Sequence, residues 1–94
     1  MSLAETILDI MERRDKTSKA YIKSQTEKYL LLRFPDCKKN SLAESEKLAE
    51  LTNVGRDTAY SWMNSGRSNV KIPLNKLCEL AVKLDVDITE FLEK

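Results

Sequence analysis

A sharp break between two helix-like runs is the feature that most constrains how this chain folds. Residues 48–52 continue an apolar pattern of helical spacing, Asn53, Val54 and Gly55 interrupt it, and a second run follows at once. Asparagine tolerates the left-handed conformation that ends a helix, valine supplies an apolar plug, and glycine permits a turn into a new helix start. The stretch therefore predicts a helix–turn–helix whose second helix spans residues 55–64.

Composition supports an all-helical chain. The 94 residues include only two glycines and two prolines, while 41% are hydrophobic and 33% are charged. An all-β chain needs more turn residues, and a disordered chain has fewer apolar ones. At this length we expect a single domain with one modest core. The prediction is a compact all-α bundle of five to six helices.

Two helices are predicted in the N-terminal part, residues 1–40. Apolar residues at helical spacing place the first over residues 3–13. The second spans residues 18–34, begins at Thr17 or Ser18 as the cap, and ends before the proline that follows. A polar, basic loop over residues 36–40 then leads to the second half of the chain.

Residues 41–94 carry the helix–turn–helix and the C-terminal helices. A capping box at Ser41 and Glu44 starts the third helix. Pro73 suits the first turn of a further helix, which carries an apolar stripe. The members of that stripe are Leu74, Leu77, Cys78, Ala81 and Leu84. Cys78 is therefore expected to be a small buried hydrophobe.

Residues that could support catalysis or bind a metal are scarce. The chain has no histidine and no glycine-rich phosphate loop, and neither Cys37 nor Cys78 has a second ligand at metal-binding spacing. We expect both cysteines to be reduced thiols, with a disulfide as the alternative. The acids Asp85 and Asp87 have no other ligand or catalytic group converging with them, and helix capping explains Asp87, which starts a short last helix. The chain is predicted not to be an enzyme and to need no cofactor, metal or small-molecule ligand.

No apolar run approaches the ~20 residues that span a bilayer, and the N-terminus lacks the order of charged and apolar residues typical of a secretory signal. A cytoplasmic protein without a membrane partner is expected.

Charge is unevenly distributed although the net charge is only +1. Residues 16–39 hold seven lysines and arginines against two acids, and residues 51–76 hold four against one, whereas residues 77–94 are acidic. This pattern is compatible with a positive face for a polyanion, and equally with solvated helix surfaces that bind nothing.

The second motif helix has two distinct faces. Val54, Ala59 and Trp62 occur at spacings that turn them towards the first motif helix and the core, so Trp62 is expected to be buried. The opposite face consists of Arg56, Asp57, Tyr60, Ser61 and Asn64. Such groups reach base edges or phosphates when a helix lies in a major groove, because arginine grips guanine and asparagine grips adenine.

These residues resemble the Cro/C1-type (lambda-repressor-like, XRE) helix–turn–helix family over about residues 41–92. The similarity is carried by AELTNVGRDTAYSW at residues 49–62, by the Trp-x-x-x-Gly ending at Gly66, and by Leu-Ala-x-x-Leu-x-Val from Leu80 to Val86. Asn53 stands where the family usually has glycine, and Thr52 where it usually has leucine.

The resemblance implies a lambda-repressor-like domain with an extra N-terminal helix. It also implies a transcriptional regulator that binds double-stranded DNA, usually a repressor or Cro-like switch of phage type, commonly a homodimer on an inverted repeat. The predicted base-contacting residues are Arg56, Asp57, Tyr60 and Ser61. The predicted contacts to the DNA backbone are Thr58, Asn64, Arg67 and Lys71.

Several alternatives stay open. Tyr60 can instead pack on its neighbours, and Asp57 can simply stabilise the positive N-terminus of its helix. The extra helix, residues 3–13, can cover the bundle, pair with its copy in a dimer, or hold another protein. The alternative function is a protein-interaction module that keeps the helix–turn–helix shape without specific DNA binding.

Overall fold

The computed structural model describes residues 2–39, 41–64 and 70–93. Within these ranges five α-helices follow one another, and a 3₁₀ helix lies after the second and after the last. They are α1 (Leu3–Lys16), α2 (Lys19–Arg33), a 3₁₀ helix (Pro35–Lys39), α3 (Ser41–Thr52), α4 (Arg56–Met63), α5 (Leu74–Leu84) and a 3₁₀ helix (Ile88–Phe91). No strand occurs within the described ranges. The predicted all-α bundle is confirmed.

Caps explain where the first two helices begin. The Ser2 hydroxyl accepts from the Glu5 amide at 3.2 Å and the Ser18 hydroxyl accepts from the Tyr21 amide at 3.1 Å, so each serine satisfies an orphan N–H. The first helix is three residues longer than predicted, because the basic residues of its last turn suit a helix C-terminus. The predicted loop over residues 36–40 is largely a 3₁₀ helix. The Ser41 side chain, predicted to cap α3, lies outside the described part.

The core is built from α2, α3, α4, α5 and the second 3₁₀ helix, together with Ile72 just before α5. Fully or nearly fully buried side chains from each of these elements form one cluster, and the largest are Phe91, Ile22, Leu30, Leu48, Ile72, Leu77, Leu80, Leu84 and Trp62. Phe91 also meets the Tyr29 ring edge-on at 5.9 Å between centroids. The second 3₁₀ helix is therefore an integral part of the core.

The prediction is wrong for one residue that was expected to lie in the core. Cys78 is exposed, whereas Leu77, Leu80, Ala81 and Leu84 form the buried stripe of α5. Each residue advances an α-helix by about 100°, so Cys78 lies well to one side of the stripe through Leu77. Both cysteines are free, and Cys37 rather than Cys78 is the buried thiol.

Three buried threonines fit the helical interior by bonding to their own helices. Thr17, Thr26 and Thr52 donate their hydroxyls to the carbonyls of Arg13, Ile22 and Leu48, four residues earlier, at 2.6–2.7 Å. A buried hydroxyl is tolerated when it is hydrogen-bonded. Thr52 can therefore occupy a core position at which leucine is usual in the resembled family.

Helix α1 contacts the bundle through its C-terminal end. Arg14 Nη2 donates to the Ile72 carbonyl at 3.0 Å, and the Glu93 amide donates to the Thr17 hydroxyl at 3.0 Å. No residue of α1 itself is buried, and most of its large apolar side chains are exposed. Of the three roles considered for this helix, covering the bundle with its apolar face does not agree with the structure.

No helix in the described ranges is both long enough and apolar enough to cross a bilayer.

Candidate nucleic-acid interface

The turn between α3 and α4 is set by Asn53. This residue has a φ of 55°, in the left-handed region, and the amide of Val54 then donates to the Ala49 carbonyl at 3.1 Å. The same arrangement ends α5, where Asp85 has a φ of 56° and the Val86 amide donates to the Ala81 carbonyl at 3.0 Å. Each is a helix-terminating motif in which the following valine packs against the core.

Gly55 has a smaller role than the sequence indicates. Its φ of −68° and ψ of 153° are open to any residue, and a Cβ added to it would meet nothing within 4 Å. The left-handed conformation that the turn requires belongs to Asn53, which asparagine adopts readily. Asn53 thus provides the conformational freedom that the break requires, and Gly55 is the uncapped start of α4.

Helix α4 has the two faces that the sequence predicts. Ala59, Trp62 and Met63 are buried against the core. Arg56, Asp57 and Thr58 are exposed, and the half-buried outward residues are Tyr60, Ser61 and Asn64. The four predicted base-contacting residues therefore lie on one helix, with Arg56 and Asp57 the more accessible pair.

Arg56 is held by an ion pair that is easily exchanged. Its guanidinium lies 3.1 Å from the Glu46 carboxylate on α3, and both side chains are more than half exposed. Exposed ion pairs contribute only about 0–1 kcal/mol. Arg56 is therefore oriented in the free protein yet available to another acceptor.

The Ser61 hydroxyl is partly used within α4. It donates to the Thr58 carbonyl at 2.7 Å. The hydroxyl oxygen can still accept a hydrogen bond. Among the predicted base contacts, Ser61 is thus suited to a donor on a base, such as the amino group of cytosine or adenine.

Two lysines of α2 lie beside α4, and sequence reasoning did not select them. Lys19 Nζ donates to the carbonyls of Ser61 at 2.8 Å and Asn64 at 3.2 Å, which places a cation at the negative C-terminal end of α4. Burial, followed by the neighbouring Lys23 charge, lowers the pKa of Lys19. Lys23 lines a shallow cavity of about 240 Å³ with Ser45, Tyr60, Met63 and Asn64. Their only signal in the sequence is a pair of lysines four residues apart at a helix start within a basic segment.

The predicted backbone contacts are dispersed. Thr58 and Asn64 lie on or at the end of α4, whereas Lys71 Nζ donates to the Asp15 carbonyl at the C-terminal end of α1, 3.0 Å away. Arg67 lies outside the described residues.

A pair of carboxyl groups lies beside Lys23. Burial, the charge of Glu27 and a side-chain hydrogen bond to Glu27 raise the pKa of Glu44, while the Lys23 charge opposes the rise. Two carboxylates in contact repel each other unless they share a proton. The α2–α3 junction beside the lysines therefore holds an acid pair whose proton is bound more tightly in the folded than in the unfolded chain.

This acid pair predicts a pH dependence of stability. Because the pKa of Glu44 is raised on folding, its contribution is present at low pH and is lost as pH rises through the folded pKa. We expect Glu44→Gln to raise the free energy of unfolding at pH 7 by about 0.5 kcal/mol, or roughly 2–4 °C in Tm. Thermal unfolding followed by circular dichroism from pH 4 to 8 measures this. An equal gain at every pH would contradict the assignment.

Comparison with known proteins returns no match to a protein-family model, to a curated protein or to a solved structure. The resemblance to the Cro/C1-type family thus rests on the residues named above and stays a prediction. Among the described residues, no group of three histidine, cysteine or acidic side chains could hold a metal ion.

Proposed function

We propose that this chain is a sequence-specific, double-stranded DNA-binding transcriptional regulator that reads the major groove through α4. The observation that carries the proposal is the α3–turn–α4 unit, in which Trp62 and Ala59 anchor one face of α4 and Arg56 and Asp57 are exposed to solvent on the other. An α-helix presented in this way fits the width of the major groove.

The roles of the residues follow from their chemistry. Arg56 exchanges Glu46 for the O6 and N7 acceptors of guanine, a bidentate contact worth about 1–3 kcal/mol of discrimination. Tyr60 and Ser61 reach neighbouring base edges. Asp57 has two roles in this proposal, as an acceptor for a cytosine amino group and as a stabiliser of the α4 N-terminus.

Phosphate contacts extend beyond α4. Lys23 and Thr58 flank the outward face of the helix, so they are placed to fix its register on the duplex without reading sequence. Binding through such cations releases counterions and weakens as salt rises. The proposed target is an inverted repeat bound by a homodimer, and the proposed effect on transcription is repression.

A protein-interaction module is the second candidate function, and one observation favours it. Helix α1 exposes a row of large apolar side chains that its own bundle does not cover. If the helix–turn–helix shape serves only as a scaffold for that surface, the chain binds DNA weakly and without sequence preference.

Selection of bound duplexes from a random DNA pool at about 0.15 M salt tests the proposal, since specific and non-specific affinities are well separated at physiological salt. The wild type is compared with the triple variant Arg56→Ala, Tyr60→Ala, Ser61→Ala. We expect a palindromic consensus with half-sites about ten base pairs apart, and its loss in the variant.

An unenriched wild-type pool would overturn the specific-regulator proposal. A consensus that survives in the triple variant would show that another surface reads the sequence. Far-ultraviolet circular dichroism of the variant, expected to equal that of the wild type because all three replaced side chains lie outside the core cluster, separates loss of contact from loss of fold.

A further inference from the structure

The outward face of α1 is a continuous apolar surface that no other described residue of the chain covers. Four large side chains along it are exposed to a degree that is unusual for their type: Leu3 at 77%, Leu8 at 56%, Ile7 at 47% and Met11 at 46%. Ala4 lies on the same face in the first turn of α1 and is also exposed. The exposed apolar face therefore begins at the first turn of the helix.

This surface continues onto the bundle. Met11 lines a cavity of about 230 Å³ with Pro73 and Leu74 at the start of α5, and the charged Arg14 and Asp15 form the rest of its lining. Apolar side chains therefore extend from the first turn of α1 to the first turn of α5, with charged residues beside them at the α5 end.

The size of the surface fits a protein interface. From the exposed fractions, the four large side chains of α1 leave on the order of 400 Å² of apolar area in solvent, comparable to the largest patch on a typical monomer. A standard interface buries about 800 Å² per partner, of which about 65% is apolar in homodimers. The face of α1 with the adjoining edge of α5 supplies an area of that order.

Charge along α1 indicates what covers this face. The first turns carry Glu5 and Asp9 without a base, whereas residues 12–16 carry Arg13, Arg14 and Lys16 against Glu12 and Asp15 and are net positive. The acidic first turns would repel an anionic lipid surface or nucleic acid at the most exposed apolar residues. A second α1 running in the opposite direction instead sets the acidic first turns of each helix against the net positive last turn of the other.

We propose that two copies of this chain form a homodimer by packing their α1 faces against each other. The contact is isologous, since the same side chains meet from both sides, and it closes at two subunits. The dimer forms without DNA. Its consequence for DNA rests on the proposed function: Arg14 and Thr17 fix α1 to the bundle, so pairing of α1 holds the two α4 helices in one relative orientation for two half-sites.

Light scattering coupled to size-exclusion chromatography of the full chain, without DNA, tests the dimer. At about 100 µM, where a micromolar Kd leaves most chains paired, the wild type is expected to approach twice its chain mass of 10.8 kDa. The double variant Ile7→Glu, Met11→Glu is expected to stay at 10.8 kDa. The matched control is Val82→Glu on α5, where valine is 79% exposed, and it is expected to dimerise like the wild type.

A monomeric wild type at this concentration overturns the proposal. So does a double variant that is still dimeric, or a result in which only the control variant is monomeric. Leu8→Glu is the second variant of this face. Helix content and Tm equal to those of the wild type confirm that each variant is folded. The result is independent of DNA binding. A folded monomer that still selects a consensus overturns the dimer alone, whereas a dimer with an unenriched pool overturns the proposed function alone.

Discussion

Replacing Trp62 with alanine is expected to lower the free energy of unfolding by about 3–5 kcal/mol, the usual cost of removing a large aromatic side chain from a core. Trp62 is only 4% exposed and belongs to the same buried cluster as Leu48, Leu77 and Phe91. Single domains have total stabilities of about 5–15 kcal/mol, and a domain this small has little in reserve. The variant should therefore be partly unfolded at room temperature.

Urea denaturation followed by circular dichroism measures this loss, because the chain has one tryptophan and its fluorescence disappears with the substitution. Thr58→Ala, on the exposed face of the same helix, is the matched control and should change stability by less than about 0.5 kcal/mol. A loss below 1 kcal/mol in Trp62→Ala would mean that α4 does not pack on the core through this ring. The outward face of α4 would then be assigned incorrectly as well.

Most of the helices could be predicted because their signals are local. The left-handed Asn53, the cap at Ser18 and the proline after α2 act within a few residues of themselves, so sequence spacing is sufficient to identify them. The inward residues of α4 follow from the helical period alone. Cys78 was assigned wrongly because an apolar residue next to a stripe looks like a member of it, and only the packing of α5 shows on which side the stripe ends.

The remaining parts depend on tertiary packing. Lys19 and Lys23 come next to α4 because α2 crosses it, and no pattern within residues 18–34 specifies that crossing. The sequence pattern of the apolar face of α1 is the same whether that face contacts its own bundle or a second chain. Its exposure emerges only when the bundle is assembled and its core is already complete without α1.

Once a binding sequence is known, single substitutions at the proposed interface should distinguish residues that recognise bases from residues that contact phosphates. Arg56→Ala is expected to weaken binding to that sequence by about 5- to 150-fold, the equivalent of 1–3 kcal/mol, because the exposed pair with Glu46 costs little to exchange for guanine. Its affinity for random DNA should change far less. Lys23→Ala should weaken both affinities alike and reduce the salt slope by about one, as expected of a phosphate contact.

The decisive comparison is between Arg56 and a second arginine in a similar setting. Arg33 is about half exposed and pairs with Asp85 at 3.3 Å, but it lies at the end of α2 away from Lys19, where it donates to the Leu84 carbonyl at the end of α5. Arg33→Ala removes the same charge from the same small protein, so the general electrostatic attraction to DNA falls equally in both variants. Fluorescence anisotropy with specific and random duplexes should therefore show loss of discrimination only in Arg56→Ala. Equal effects of the two substitutions would mean that net charge, not α4, governs binding.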